Sequence, residues 1–593
     1  MKVSDFVVKF FEDHKFKYVF GVTGGGAMHL NDSFGSSKKI KFIMQHHEQA
    51  ASMSAESYAR TTGKVGLCNV TTGPGGTNAI TGLVGAWIDS IPMIIISGQV
   101  ATKDMINKTN TRQIGVQEIN ILDIVKPVVK YNAIITDEKD ILYELQKALF
   151  LCKNGRPGPV WIDIPLDIQA KLINPKKIRS FKEKKFKNII KDSDLKKIIS
   201  LIDKSERPSI VIGNGIHISN SSKILKKVIK KLSFPVLSSW NASDILETSN
   251  RNYIGRFGIF GDRAANFTIQ NSDLVIVLGS RLSQPQRGYN DNLFIPSGKI
   301  IMIDIDNNEI KKFKKKIAFS IKADLNLFLS KFNKYLKNKS FLNQNTKKWL
   351  KFSRSQKNKY SVFNENHKNL GKVNSFLFIK TLSKLTKTNT NIVTDMGTSF
   401  TCTMQSMSLK KNQRLFTSSG LAAMGWGLPG SIGSYFGDKK KNIICIAGDG
   451  GVMFNIQELQ TIIHHKIPVK IFILFNNGYL TMKLMQKKNF KKYVGSDPVS
   501  GISCPNFIKI GKAFGIKSFS IKNSKNLKEK IKKILNINGP VICQIDMPNF
   551  QQLIPRLQTK MTKEGKFIPT PIDNLYPFLD EKEYYSNIKY KTK

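Results

Sequence analysis

The chain has 593 residues, too many for one hydrophobic core, so two to four domains are expected. Its formal charge of +50 rests on 93 basic residues of which only 13 are Arg, scattered rather than blocked, which argues against specific nucleic-acid readout, where Arg's planar fork is favoured. Apolar content of 41% is ordinary for a globular protein, no apolar run reaches the length of a membrane span, and six separated cysteines without CxxC spacing argue against a disulfide framework or a zinc site and fit a reducing, cytoplasmic setting.

The first stretch, MKVSDFVVKFFEDHKFKYVFGV, carries acids inside its apolar part and is read as folded protein rather than a signal peptide. From residue 1 to about 170, strand-like runs (KYVFGV, KFIM, VGLCNVTT, PMIIISGQ, PVWIDIPL) alternate with helix-like ones (AASMSAESYARTTG, NAITGLVGAWIDS). That alternation predicts a doubly wound parallel sheet, an α/β unit. Residues 171–190 are Lys-rich and read as a linker. A second α/β unit at 191–330 has PSIVIGNGIH, FPVLSSW, DLVIVLGSRL and KIIMIDID as strands. Residues 331–372 read as a polar linker, 373–548 as a third α/β unit resembling the first in size and pattern, and 549–593 as a C-terminal tail.

The third unit holds the most informative stretch, residues 442–478. Two short apolar runs, IICIA and IFILF, are strands buried on both faces; the first ends in Gly448-Asp449-Gly450-Gly451, the second in Asn476-Asn477-Gly478. The expected order is strand, loop, helix, strand, loop. Polar groups at the carboxyl ends of parallel strands collect ligands. Asp449 and Asn476 offer hard oxygens, the glycines admit a ligand to the backbone, and a helix start attracts phosphate. A carboxylate, an amide oxygen and a backbone carbonyl suit Mg²⁺ held jointly with phosphate oxygens.

This stretch resembles the thiamine diphosphate (ThDP) fingerprint, GDG followed by NN, and the rest of the chain resembles the acetohydroxyacid (acetolactate) synthase large-subunit family. KFIM is followed by Gln45-His46-His47-Glu48-Gln49-Ala50-Ala51, similar to the family's His-Glu-Gln-x-Ala. Then come SYARTTGK (57–64), VTTGPGGTN (70–78), DSIPMIIISGQV (89–100) and GVQEI (115–119) in the family's order. VTDMGTSF (393–400) and SSGLAAMGWGLPGSIGS (418–434) precede the metal stretch. The resemblance implies three doubly wound domains: pyrimidine-binding, central Rossmann-like and diphosphate-binding. It makes Glu48 the carboxylate that activates the aminopyrimidine ring, with Gln117 and Gly25 (of VTGGGA) in the reaction pocket. Gly397, Thr398, Ser399, Met424, Gly448, Asp449, Gly450, Gly451, Asn476 and Pro74 would hold the cofactor. Asp449, Asn476 and the Gly478 carbonyl would hold Mg²⁺. His46 and His47 are read as structural, His47 as positioning the loop.

By the same resemblance the enzyme decarboxylates a 2-keto acid, pyruvate first, and joins the product to a second carbonyl. It works as a homodimer or homotetramer, because Glu48 of one subunit faces the diphosphate unit of another, and a regulatory subunit is compatible with the family. Alternatives are a carboligase with another acceptor, such as a keto sugar, and a simple 2-keto acid decarboxylase. The chain departs from the family around the pocket: Gln486 in LTMKLMQK stands for the pocket Trp, Val116 for Phe, Thr398-Ser399-Phe400 for Gln-His-Gln, Leu166 for Lys and Thr23 for Pro. The middle unit carries FAD-like segments (GNG 213–215, FGIFGDRAANF 257–267, GSRL 279–282, DID 304–306), but SRLSQPQR replaces ARFDDR and there is no GxGxxG. Two readings stand there, an FAD site and a ligand-free spacer.

Overall fold

The computed structural model describes residues 1–106, 109–183, 189–313, 316–337, 341, 343–362, 371–561, 565 and 567–590. Within these, the expected α/β fold is realised as three six-stranded, all-parallel sheets. The first contains β1 (Tyr18–Gly21), β2 (Lys41–Met44), β3 (Gly66–Val70), β4 (Met93–Gln99), β5 (Tyr131–Ile134) and β6 (Val160–Pro165), in the order β2-β1-β3-β4-β6-β5. The second contains β7 (Pro208–Ile212), β8 (Val236–Ser238), β9 (Tyr253–Arg256), β10 (Leu274–Leu278), β11 (Lys299–Asp304) and β12 (Ile317–Lys322), ordered β12-β11-β10-β7-β8-β9. The third contains β13 (Thr390–Thr394), β14 (Arg414–Phe416), β15 (Asn442–Gly448), β16 (Lys470–Phe475), β17 (Lys517–Ile521) and β18 (Val541–Asp546), ordered β14-β13-β15-β16-β18-β17. Counted from their own first strands, sheets one and three share one topology. That extends their likeness in sequence pattern. The second sheet has the strand order of dinucleotide-binding folds, with its switch point between β7 and β10.

The helices that matter here are α1 (Glu48–Thr62), α2 (Gln344–Lys359), α3 (Thr398–Ser406), α4 (Gly427–Gly437), α5 (Asp449–Val452), α6 (Glu458–His464) and α7 (Leu480–Phe490). Helix α2 corrects part of the linker reading of 331–372. Its Trp349 is buried and donates its indole N–H to Pro208 O at the head of β7, which recovers enough apolar contact to hold an otherwise polar helix. The linker at 171–190 lies partly outside the described residues.

Sheets one and three share a core that runs from Phe20 and Ile95 through Leu428 and Ile432 to Ile443 and Ile471. At its centre α1 crosses α4 closely enough that a Cβ on Gly433 would lie 2.0 Å from Ser54 O. Ser54 and Ser57 hydroxyls donate to Pro429 O (2.9 Å) and Gly430 O (2.5 Å), satisfying carbonyls of the opposite helix. Glu56, buried, accepts from the Trp426 indole (2.7 Å) and pairs with Arg60, which also pairs with Asp89. Among the described residues, no helix is long and apolar enough to cross a membrane.

Candidate active site

β15 and β16 are neighbours in register, Gly448 opposite Leu474, so the residues after them lie side by side. The loop expected after β15 is absent: α5 begins at Asp449 itself. Asp449 is 1% exposed. Its Oδ1 accepts the Gly450 N–H (2.9 Å) and its Oδ2 accepts those of Asn476 (2.9 Å) and Gly478 (3.2 Å), so one carboxylate ties both strand ends together. Burial pushes this carboxyl up to about 6 in spite of those donors. Beside it the Asn476 Oδ1 is buried without a hydrogen-bond partner. An unpaired amide oxygen next to a buried carboxylate is a donor set for a hard cation. No cluster of three or more His, Cys, Asp or Glu is placed for a metal among the described residues, so a cation here would depend on amide, carbonyl and phosphate oxygens as well. Gly478 sits at φ 141°, where a Cβ would meet Ser496 O at 2.3 Å. Gly450 lies under the Tyr479 ring and Gly451 against Asp395, whereas Gly448 faces open space.

The neighbouring strand β13 ends at Thr394, and Gly397 at φ 83° caps α3. Thr398 and Ser399 open that helix and are buried. The Ser399 hydroxyl donates to Asp395 O and Met396 O (3.0 Å each), so a phosphate would meet helix-start N–H groups rather than this hydroxyl. Sequence reasoning gave Asp395 no role. It is 1% exposed, and its Oδ1 accepts the N–H groups of Met396 (2.7 Å) and Gly425 (3.1 Å). It thereby fixes the turn that carries Met424, which is half-buried against the core under the third sheet.

The second group of residues gathers on the carboxyl edge of the first sheet. Glu48 is the first residue of α1, and His47 caps it, Nδ1 accepting the Gln49 N–H (3.0 Å). Glu48 is half-buried and its Oε2 accepts from Asn78 Nδ2 (3.0 Å). Its Oε1 faces Gly75 in the short helix that Pro74 opens. Gly24 and Gly26 pack on Thr71 and Thr72, which leaves Gly25 exposed between them. A Cβ on Gly73 would meet Gln117 O at 2.3 Å, so the Gln117 loop closes over the same turn. Gln117 is exposed at φ 64°, and Val116 beside it is 85% exposed. The loop is organised by Glu118, another residue sequence reasoning passed over: its buried carboxylate accepts the N–H groups of Ile106, Ile114 and Gly115. Beneath, Thr72 donates to Gln99 (2.6 Å) and Gln99 to Asp163 (3.0 Å), whose carboxyl burial pushes up to about 7. A hydroxyl donor at Thr72 or an acid at Glu118 was readable in the motifs, but their partners were not.

Gln486, on α7, turns back to the following segment. Its amide donates to Val494 O (2.8 Å) and its Oε1 accepts from Val494 N (3.2 Å) and Ser496 Oγ (2.8 Å). It staples residues 494–496 to the helix.

At the switch point of the second sheet lies a cavity of about 350 Å³. Its lining includes Asn214 and Gly215 after β7, Gly279 and Arg281 after β10, Asp304 at the end of β11, and Asp324. Burial pushes Asp304 up to about 6. Arg281 reaches Asp89 Oδ1 of the first domain at 3.6 Å.

Comparison with known proteins agrees with this arrangement. Residues 1–123 match the family description "Thiamine pyrophosphate enzyme, N-terminal TPP binding domain", residues 195–332 its central domain and residues 395–545 its C-terminal TPP binding domain. The chain is 32% identical over 572 residues to acetolactate synthase 1, chloroplastic, of Nicotiana tabacum, covering 94% of this chain and 83% of that one. It is 30% identical to the acetolactate synthase large subunit of Pyropia yezoensis, covering 90% of each. It is 29% identical to acetolactate synthase isozyme 1 large subunit of Escherichia coli, covering 93% of this chain and 95% of that one.

Proposed function

The chain belongs to the thiamine pyrophosphate enzyme family, among the relatives of acetolactate synthase large subunits, and on that premise we propose that it decarboxylates pyruvate and joins the two-carbon unit to a second 2-keto acid. The observation that carries the reading is the pair of buried oxygens at the ends of β15 and β16, Asp449 and the unpartnered Asn476 Oδ1. With the Gly478 carbonyl they would hold Mg²⁺ and, through it, the cofactor's diphosphate. The cofactor, when bound, supplies the electron sink for decarboxylation. Gly397 and the α3 start would receive diphosphate oxygens, and Met424 would fill the space beneath the cofactor rings. Glu48, oriented by the Asn78 amide, would hold the proton exchanged with the aminopyrimidine. Gln117 and Gly25 would border the reacting carbonyls and limit water.

Within one chain, no hydrogen bond among the described residues joins Glu48 to Asp449 or Asn476, and Val116, Met28 and Phe454 stay exposed near the two halves. This supports a homodimer in which each site draws on both subunits, or a tetramer of such pairs. The cavity at the switch point of the second sheet fits an extended dinucleotide: close glycine approaches at Gly215 and Gly279 leave backbone rather than side chain along its floor, and Arg281 can meet phosphate. FAD is therefore proposed there, and a flavin absorption band in the purified protein, lost on acid extraction, tests it.

The stapled Gln486 favours a second reading, transfer to an acceptor other than pyruvate or 2-ketobutyrate, since no Trp shapes that side of the pocket. Purified protein with ThDP, Mg²⁺ and pyruvate, with and without candidate keto acids or keto sugars, decides by mass spectrometry of the products. Acetolactate supports the first reading, and a product formed only with another acceptor supports the second. Absence of CO₂ release in every mixture refutes both.

A further inference from the structure

The loop that carries Glu48 is gripped from the diphosphate domain. Glu458 opens α6, on the helical run that starts at Asp449, and is completely buried. Its Oε1 accepts the His46 N–H (3.0 Å), and its Oε2 accepts Gln45 Nε2 (3.3 Å) and Thr461 Oγ1 (2.7 Å). Two of its three donors thus belong to the residues two and three positions before Glu48. They lie 412 and 413 residues away in sequence. Gln45 Nε2 also donates to Ser54 Oγ (3.0 Å), which donates to Pro429 O, so the same carboxylate is joined to the α1–α4 contact.

A buried carboxylate in a place that only needed filling is a poor choice. Desolvation pushes this carboxyl upward, and an apolar side chain of similar size would avoid that cost. What Glu458 supplies that an apolar residue cannot is two directed bonds to the loop. One fixes the backbone N–H of His46, and the other fixes the Gln45 side chain, whose own Oε1 has no partner. From the far side, His47 caps α1 and so fixes the helix start. The Cα position of Glu48 is therefore set between its own helix and the domain that bears Asp449.

We propose that Glu458 is a positioning residue for Glu48, holding the 45–48 loop so that the Glu48 carboxylate meets its proton-exchange partner in line. The proposal rests on the role assigned to Glu48 above. Misplacement of a reacting group by about 1 Å costs on the order of 100-fold in rate.

The test uses the full-length protein with Glu458→Gln, which keeps size and one acceptor, and Glu458→Ala. Three quantities are measured: amide hydrogen exchange of the 45–48 segment without cofactor, kcat and KM for pyruvate at saturating ThDP and Mg²⁺, and the exchange rate of the C2 proton of bound ThDP. Faster exchange of the segment is expected in both variants. With it, kcat and C2 exchange should fall about 10-fold for Gln and about 100-fold for Ala, while KM and ThDP affinity stay within about 3-fold. If Glu458→Ala does not fold, Glu458→Gln alone decides. Unchanged kcat with an unchanged segment, or a loss confined to ThDP affinity, overturns the proposal. If the wild-type protein itself shows neither decarboxylation nor C2 exchange, the functional reading falls instead, and the cofactor-free hydrogen exchange still judges the clamp.

Discussion

Replacing Asp449 by Asn separates what the site needs for folding from what it needs for metal. The carboxylate receives one N–H on Oδ1 and two on Oδ2. An amide can keep only one of those faces as an acceptor, so one bond is lost in its better orientation and two in the other. Each charge-assisted bond is worth about 1.5–3 kcal/mol. Burial outweighs these donors and leaves the carboxyl at about 6 against 3.8, so in the metal-free protein the charge costs a net of roughly 3 kcal/mol with the bonds already counted, a cost that Asn escapes. In the metal-free protein the melting temperature should therefore hold or rise by a few degrees rather than fall. With metal the balance changes, because the Asn variant has lost the charge that faces the cation. The rise in melting temperature on adding ThDP and Mg²⁺ together should shrink sharply, and calorimetric titration should show affinity for the pair reduced at least about 10- to 100-fold, where 1.4 kcal/mol is tenfold. An Asp449→Asn protein with the wild-type thermal response to ThDP and Mg²⁺ would refute the placement of the cation.

Three other outcomes are expected. Glu48→Gln keeps the Asn78 contact through its carbonyl oxygen, so ThDP should still bind by fluorescence titration while turnover falls at least about 100-fold; retained turnover would remove Glu48 from its assigned role. Asp163, held near 7 by burial against 3.8, is protonated more readily folded than unfolded, so its stabilising contribution is complete below about pH 4 and is lost as pH rises through about 7. Between about pH 5 and 8 that loss is roughly 2–3 kcal/mol, and Asp163→Asn should flatten this part of the curve of denaturant midpoint against pH; an unchanged slope would count against it. Gln486→Ala removes three hydrogen bonds to residues 494–496, so limited proteolysis in that segment should accelerate several-fold while the melting temperature stays within a few degrees; equal cleavage rates would mean the staple does not hold the segment in solution.

Apart from the edge strand β2, the strands read from the sequence lie inside the sheets, where both faces are buried and the apolar run is continuous, as in IICIA and IFILF. Of the strands that escaped reading, β5, β9, β12, β14 and β17 lie at sheet edges, and β13 and β18 lie inside the third sheet. Most of those at the edges are half-exposed or short, so their composition is mixed and no period stands out. Helix α2 was hidden for a related reason: only Trp349 and a few small or amide side chains face the protein along sixteen residues dense in Lys and Asn.

The site divides in the same way. Spacing along the chain alone determined that Asp449 and Asn476 end successive strands of the third unit, that Glu48 stands just before a helix-like run, and that glycines punctuate both halves, because strand ends and helix-forming runs are local properties of a parallel α/β chain. What only the tertiary structure decided is which groups answer them. Asp395 holding the Met424 turn, Glu118 folding the Gln117 loop, Gln486 closing on Val494 and Glu458 reaching back to His46 are hydrogen bonds between residues up to 412 apart, or between a side chain and backbone N–H groups that carry no residue identity. A sequence pattern records how often a side chain is buried. The direction in which a buried carboxylate points is settled only when the sheets have packed and each unsatisfied N–H has found the nearest acceptor.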